Sequence, residues 1–553
     1  MKPLSDHVRA VTLVIWNVNI PLDEDLKETV DKLDLVDEKA LLPATRMSNI
    51  FPKQPEGGHI HVVVKELPMT ITIPQKRMLS EPPENVFDRL KRAKIVTDAP
   101  SETGKSAKYQ SLQGDPLERI YDDLPPDPDI PPIPLLYEGF GHFLDIMNGH
   151  KNVPGLADVD VQELRNEVDE LASKMTGYFS KKDDRRDEAL ACLNCIFSAR
   201  RGIKIPQPYA AATGSVRTDG HNTEIHGPGT MIVVFKNCPT GISSLPQVEL
   251  VCYAARLAAT RMDEQLYLRW RVPFVGLTIV GCNITFYAII AIDHRFRIVS
   301  LTPGFSCIPS ASGGQDRTSL YSAFTAASVL QAHILQDSER LLNNPPAVIP
   351  ADARRFPAIS KLRKYPPSSN DYFAFEIGCF FPDRQPYRLL YAAVTPDRQF
   401  VLVKFSRRYP IELHEFCANS GHAPRIFAFE QLPGGWCAVV MDYIESGLPI
   451  TDPSLPPVHQ HRWAAELQRL MDDFHSKDLV HGDLRAANII CKGDSVMLID
   501  FDWGGKAGEV FYPTLNLNDE LLHGRASDDL RITKEDDRRV LRNTLAKLMN
   551  ICG

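Results

Sequence analysis

The sequence predicts a multidomain α+β protein, on three observations. At 553 residues the chain is too long for one hydrophobic core, because single domains usually run to about 100–200 residues. Strand-like alternation and helix-like periodicity succeed one another along most of its length. Proline-bearing stretches interrupt that succession over residues 69–134 and 345–369, where neither a helix nor a central strand can run through.

Composition is that of soluble globular protein, with 43% hydrophobic and 24% charged residues. A net charge of −8 supplies no basic field, so nucleic acid is a possible but disfavoured partner that would need a local patch. The eleven cysteines are scattered. Their single close pair, Cys192 and Cys195, lies in the apolar run Ala189, Leu190, Leu193, Ile196. A zinc site would need further ligands at matching spacing, so buried thiols in a reducing compartment are expected.

From the N-terminus, VTLVIWNV reads as a strand, DEDLKETVDKL as a helix with an acid at its start, and HIHVVVKEL as a returning strand. Residues 8–68 should therefore form a small α/β unit, and the opening stretch does not have the pattern of a cleavable signal. Residues 69–134, ending in DDLPPDPDIPPIP, are expected to be linker. Within them Arg89-Leu90-Lys91-Arg92-Ala93-Lys94 suits either a nuclear-import patch or the solvated face of a short helix.

Residues 135–344 make a second unit. Helices are expected at about 159–179 and 184–198, then the strand MIVVFK ending on Lys236, the helix LPQVELVCYAARLAATRM, three strands up to Leu301 and a long helix from Ser319 to Leu342. Phe274 to Ile292 carries no charge and raises a transmembrane helix as a rival. Gly281, Cys282 and Asn283 break that span between β-branched flanks, so two buried strands joined by a turn are expected and no membrane span.

After the second proline-rich linker, residues 370–553 hold the residues that carry chemistry. Phosphoryl transfer needs Mg²⁺ across the phosphates, a lysine on them and a carboxylate beside the acceptor hydroxyl. Leu479-Val480-His481-Gly482-Asp483-Leu484-Arg485-Ala486-Ala487-Asn488 has the spacing of a kinase catalytic loop, with Asp483 as base and Asn488 as metal ligand; Leu498-Ile499-Asp500-Phe501-Asp502-Trp503 follows and offers Asp500 as the principal metal ligand. Upstream, Phe400 to Phe405 is an apolar strand carrying Lys404, placed to meet the α and β phosphates. A short helix from Pro410 to Ser420 presents Glu412 and Glu415 on one face; Glu412 is the preferred partner for Lys404. Met441, Asp442 and Tyr443 end an apolar strand against which adenine would lie. Trp463, Leu467, Leu470, Met471 and Phe474 recur at helical spacing and read as core.

Three resemblances attach to these segments. VIWNVNIPLDEDL, LVDEKALLPATRMSNIFPKQP and GHIHVVV resemble the ubiquitin-like N-terminal header of Crinkler effector proteins in their fungal form. Thr218-Asp219-Gly220, Lys236, Gln247 and RVPFVGLTIVGCNITFYAIIAI followed by LTP resemble the restriction-endonuclease-like domain that precedes the kinase in fungal Crinkler-type proteins. VLVKFSRRYPIELHEF, HAPRIFAF, HGDLRAANI, LIDFDWGGKAGEVFYP and the late Asp536-Asp537 pair resemble the bilobal fungal-type protein kinase domain. Together these imply an ATP- and Mg²⁺-dependent serine/threonine kinase-like phosphotransferase acting on a protein hydroxyl, with a small-molecule hydroxyl as the alternative acceptor. They also imply a secreted effector working in a host cell, in the nucleus if Arg89–Lys94 is an import patch; residence inside the producing organism is the alternative.

Two rival functions stay open. One is a pseudokinase scaffold, favoured by a phosphate-covering turn that offers Gly378 alone in place of several glycines. The other is a nuclease toxin built on Asp219 and Lys236, against which Val234 stands where the second metal-binding acid would be, so an inactive scaffold with a plain Asp219–Lys236 ion pair is expected. Gly482 replaces the arginine that reads activation-loop phosphorylation, and a return to arginine is expected to be tolerated.

Overall fold

The computed structural model describes residues 13–21, 59–66, 85–124, 127, 130–198, 210–213, 216–221, 230–237, 243–308, 317–367, 371–380, 389–514, 516–525 and 529–550. The chain divides into two compact units, Met1–Ser80 with Phe380–Gln385, and the remainder. In the first, β1 (Leu13–Pro21) and β2 (His59–Glu66) pair antiparallel, Leu13 opposite Glu66 and Pro21 opposite His59. The helix expected between them lies outside the described residues.

The second unit holds two hydrophobic cores. The first begins with four short helices, α1 (Val86–Arg92), α2 (Lys94–Thr97), α3 (Pro100–Thr103) and α4 (Ser106–Gln113), followed by α5 (Ile133–Leu136), α6 (Glu138–Met147), α7 (Val161–Met175) and α8 (Lys182–Ser198). Strands β3 (Ala210–Thr213), β4 (Val216–His221) and β5 (Met231–Lys236) lead to α9 (Pro246–Arg261) and α10 (Glu264–Arg269). Then come β6 (Pro273–Val280), β7 (Asn283–Ala291), β8 (Phe296–Ser300), β9 (Phe305–Ser306) and α11 (Thr318–Asn343). The sheet runs β3-β4-β5-β6-β7-β8, with β9 on β7. Among the described strands of this sheet only β5 and β6 pair in parallel. Parallel neighbours require a crossover, and α9 is that crossover.

The uncharged Phe274–Ile292 span is two strands, β6 and β7, turned at Gly281, whose φ of +59° suits glycine. Among the described residues no helix is long and apolar enough to cross a membrane.

Both expected linkers hold ordered structure. Phe87, Leu90, Ile95 and Leu112 are buried in the first core, and Arg256 of α9 donates to the carbonyls of Val96 and Asp98. Each short helix buries only one or two side chains, too few for a periodic signal in sequence. Lys91 pairs with Asp88 and lies over the Phe87 ring, on a half-exposed helix face. In the second stretch Arg354 is fully buried and donates to the carbonyls of Tyr267 and Trp270. There, too, β10 (Lys361–Arg363) pairs with β11 (Tyr372–Ala374).

The C-terminal lobe opens with an antiparallel sheet ordered β12-β13-β14-β16-β15: β12 (Glu376–Phe380), β13 (Leu389–Val394), β14 (Phe400–Ser406), β15 (Ile426–Leu432) and β16 (Trp436–Asp442), with α12 (Ile411–Asn419) between β14 and β15. Below lie β17 (Leu448–Pro449), α13 (Gln460–Ser476), β18 (Leu479–Val480), β19 (Ile489–Lys492), β20 (Ser495–Leu498), β21 (Gly505–Lys506), α14 (Asp519–Leu522) and α15 (Lys534–Asn550). Trp463, Leu467, Leu470, Met471 and Phe474 of α13 are core, as their spacing predicts.

The two cores meet at glycines. The Gly434 amide, in the β15–β16 turn, donates to Asp145 Oδ1 of α6 at 3.0 Å, and a Cβ on Gly141 would stand 2.7 Å from Pro433. No larger residue lets helix and turn approach so closely.

Candidate active site

Lys404 is fixed by its strand. Leu390 and Val439 flank it across β13 and β16, and only 7% of the residue is exposed. Its Nζ lies 2.5 Å from Asp500 Oδ1 and 2.8 Å from Asp502 Oδ1. Burial pulls the ammonium pKa down, but the two aspartates outweigh burial and hold it above the ordinary lysine value. Asp500 sits just beyond β20 with φ of +64°, a left-handed conformation uncommon for any residue with a Cβ.

The loop that carries Asp483 follows β18 and is held from α15. Asp537, buried there, accepts the amides of His481 and Gly482, both at 2.8 Å, and His475 Nε2 lies 3.2 Å away. The Tyr512 hydroxyl donates to the Gly482 carbonyl at 2.9 Å. Gly482 has φ of +81°, and a Cβ would stand 3.1–3.2 Å from Ile532 and Trp503. An arginine at 482 would thus be strained, contrary to the expectation that it is tolerated.

Asp483 itself is forked by Arg485, Nε to Oδ1 at 2.5 Å and Nη2 to Oδ2 at 2.7 Å, the bidentate geometry that suits guanidinium and carboxylate. Asn488 is fully buried; its Nδ2 donates to the Asp483 carbonyl at 3.1 Å, and its Oδ1 has no partner. A buried acceptor left open is costly unless something fills it. Met441 and Asp442 end β16 opposite Leu402 and Val401 of the lysine strand, with Tyr443 next in sequence. Burial raises the pKa of the Asp442 carboxyl and of the Tyr443 phenol.

Glu412 does not reach Lys404. It is exposed, and Glu415 instead accepts the Tyr365 hydroxyl at 2.8 Å. Helix α12 turns Leu413, His414 and Cys417 inward, which leaves Glu412 on the outer face. His414 stacks on Phe501 at 4.5 Å, meets the Tyr409 hydroxyl and the Pro424 carbonyl, and has its pKa pushed down to about 4 by burial. His481 packs on the same Phe501 ring at 5.1 Å.

In the middle core, Asp219 and Lys236 do not pair with each other. Asp219 holds Lys182 at 2.6 Å and accepts the Phe235 amide at 3.0 Å. Lys236 meets Glu249 Oε1 at 2.6 Å and Ser244 Oγ at 2.9 Å, and Ser244 also donates to Glu249. Val234, on the same strand face as Lys236, is fully buried. Among the described residues no group of three or more His, Cys, Asp or Glu converges as a metal site.

Sequence reasoning gave no role to Asp537, Arg485, Asp502 or His414. Arg485 lies two residues past Asp483, a proximity that could have drawn notice; Asp537 stands out in the sequence only as half of the Asp536-Asp537 pair, and its bonds to a loop more than fifty positions away are not readable from that pair.

Comparison with known proteins bears on the N-terminus first, where residues 1–65 match the model of the Crinkler effector protein N-terminal domain. No curated protein matches the chain. Among solved structures, the Cydia pomonella granulovirus kinase, PK-1, aligns with a TM-score of 0.26 and 14% identity over 32% of this chain and 70% of that one. The chain thus carries at its N-terminus a segment similar to the Crinkler effector N-terminal domain, ahead of a larger α+β unit in which Lys404, Asp483, Asn488 and Asp500 occupy one lobe.

Proposed function

We propose that the chain is an ATP-dependent phosphotransferase of the protein kinase type, serine/threonine kinase-like in its choice of a protein hydroxyl, within a Crinkler-type effector delivered to a host cell. The observation that carries this reading is the meeting of Lys404 Nζ with Asp500 Oδ1 at 2.5 Å in the same lobe as the Asp483 loop, where the buried Asn488 Oδ1 awaits a partner. A strand lysine for phosphate, two hard oxygens for a metal and a fixed carboxylate for the acceptor are what phosphoryl transfer asks of a protein.

In this reading Lys404 meets the α and β phosphates, Met441 to Tyr443 border the adenine, and Asp483 orients the acceptor hydroxyl and takes its proton as one of its bonds to Arg485 loosens. Asp500 and Asn488 would hold Mg²⁺, which would supply charge neutralisation on the phosphates. The ubiquitin-like header and the restriction-endonuclease-like middle domain, the latter an inactive scaffold, complete the proposed architecture. The Crinkler match supports host delivery. Thermal-shift titration of the full chain with Mg-ATP tests the site: the melting temperature should rise for wild type and much less for Asp500→Ala, and equal rises would remove Asp500 as the metal ligand.

A further inference from the structure

A lysine on a flexible four-carbon stem needs a carboxylate to hold it where phosphate arrives, because unheld it spends rotamer freedom on each binding event. The expected source, Glu412 on α12, is exposed, and that helix instead turns His414 inward. Two other carboxylates reach Lys404. Asp500 lies at 2.5 Å and Asp502 at 2.8 Å, with side chains 15% and 30% exposed. They differ in what else is asked of them: Asp500, in the left-handed conformation beyond β20, is the carboxylate that the proposed reaction commits to metal. Once it does so, Lys404 retains one fixed anionic neighbour.

We propose that Asp502 is the positioning residue that holds Lys404 for the nucleotide phosphates, in place of a helix glutamate. The assignment rests on the phosphotransfer reading and deepens it. Asp502 is two residues past Asp500 and brackets Phe501, whose ring is clamped by His414 and His481. That clamp fixes the backbone between the two aspartates. The lysine's anchor and the metal's anchor therefore come from one short segment, and helix α12 contributes packing alone.

The test is equilibrium binding of a fluorescent ATP analogue to the full-length chain, in Mg²⁺ and in EDTA. Asp502→Ala should weaken binding about tenfold, the scale of one charge-assisted hydrogen bond, and by the same factor in both buffers. Asp502→Glu should restore most of the loss. In a Lys404→Met background Asp502→Ala should add nothing, since the two act as a unit. Asp500→Ala should instead erase the difference between Mg²⁺ and EDTA. A loss on Asp502→Ala confined to the Mg²⁺ buffer would make Asp502 a metal ligand and overturn the assignment, as would a full additive loss in the Lys404→Met background. Wild-type binding that is indifferent to Asp502 removes the assignment alone, whereas no binding by wild type removes the phosphotransfer reading and the assignment with it. If Asp502→Ala does not fold, Asp502→Asn, which keeps the shape without the charge, gives the same readout.

Discussion

Lys236 closes β5 of the middle core much as Lys404 comes near the end of β14 in the C-terminal lobe, yet the groups around them are committed differently. Around Lys236 the polar atoms are spent: Glu249 and Ser244 bond the lysine and each other, and Asp219 is taken by Lys182 and a backbone amide. In the C-terminal lobe two carboxylates gather on the Lys404 ammonium, and the buried Asn488 Oδ1 of the Asp483 loop is left without a partner. The difference teaches that a strand lysine beside an acid is not a site by itself. What marks a site is bonding capacity left unfilled at low exposure.

The largest effect that would sharpen this contrast belongs to Asp483→Asn. It keeps shape and removes basicity, so single-turnover phosphate transfer should fall by about 10²–10⁴-fold with nucleotide affinity almost unchanged. Equal transfer by both proteins would take the base away from Asp483, and transfer by neither would favour a pseudokinase.

Next in size is Lys236→Met. It strands Glu249, only 2% exposed, without its cation, and should cost roughly 2–3 kcal/mol in urea denaturation while leaving ATP binding intact. Plasmid cleavage by wild type that Asp219→Ala abolishes would break the comparison, because the middle core would then have chemistry of its own.

A third effect tests both regions at once. His221 and His414 each have their pKa pushed from 6.5 down to about 4 by burial. The unfolded chain therefore takes up these protons first as pH falls, so stability is full above about pH 6.5 and declines from there towards pH 4. For His414 alone the loss from pH 7 to pH 5.5 should be about 1 kcal/mol. Denaturation midpoints at the two pH values should differ more for wild type than for His414→Gln, and equal differences would show that His414 does not titrate as described. The smallest effect is that of Glu412→Ala, expected to change stability by less than about 0.5 kcal/mol and ATP affinity not measurably; a tenfold affinity loss would return Glu412 to the site.

Much of this was legible because it is local. The order strand-lysine, short helix, Asp483 loop, Asp500 loop can be read off linear spacing, and β6–β7 declared itself through a glycine turn between β-branched runs. What could not be read is what depends on which face a helix presents or on distant partners. Glu412 and His414 stand two positions apart, and only packing against Phe501 decides that the histidine points inward. Asp537 supports the Asp483 loop from the last helix, and Arg354 is buried by a core far upstream in the chain. Prolines in 345–369 suggested a linker, yet β10 lies within that stretch and Arg354 is buried there.

The turn joining β15 and β16 has a mechanical consequence. With Gly434 hydrogen-bonded to Asp145 and Pro433 pressed on Gly141, the lysine-bearing sheet is bolted to the middle core at its far end. If nucleotide binds as proposed, the sheet is the anchored part, and the connector after Asp442, in which Ser446 takes φ of +59°, is where the helical half would adjust to it.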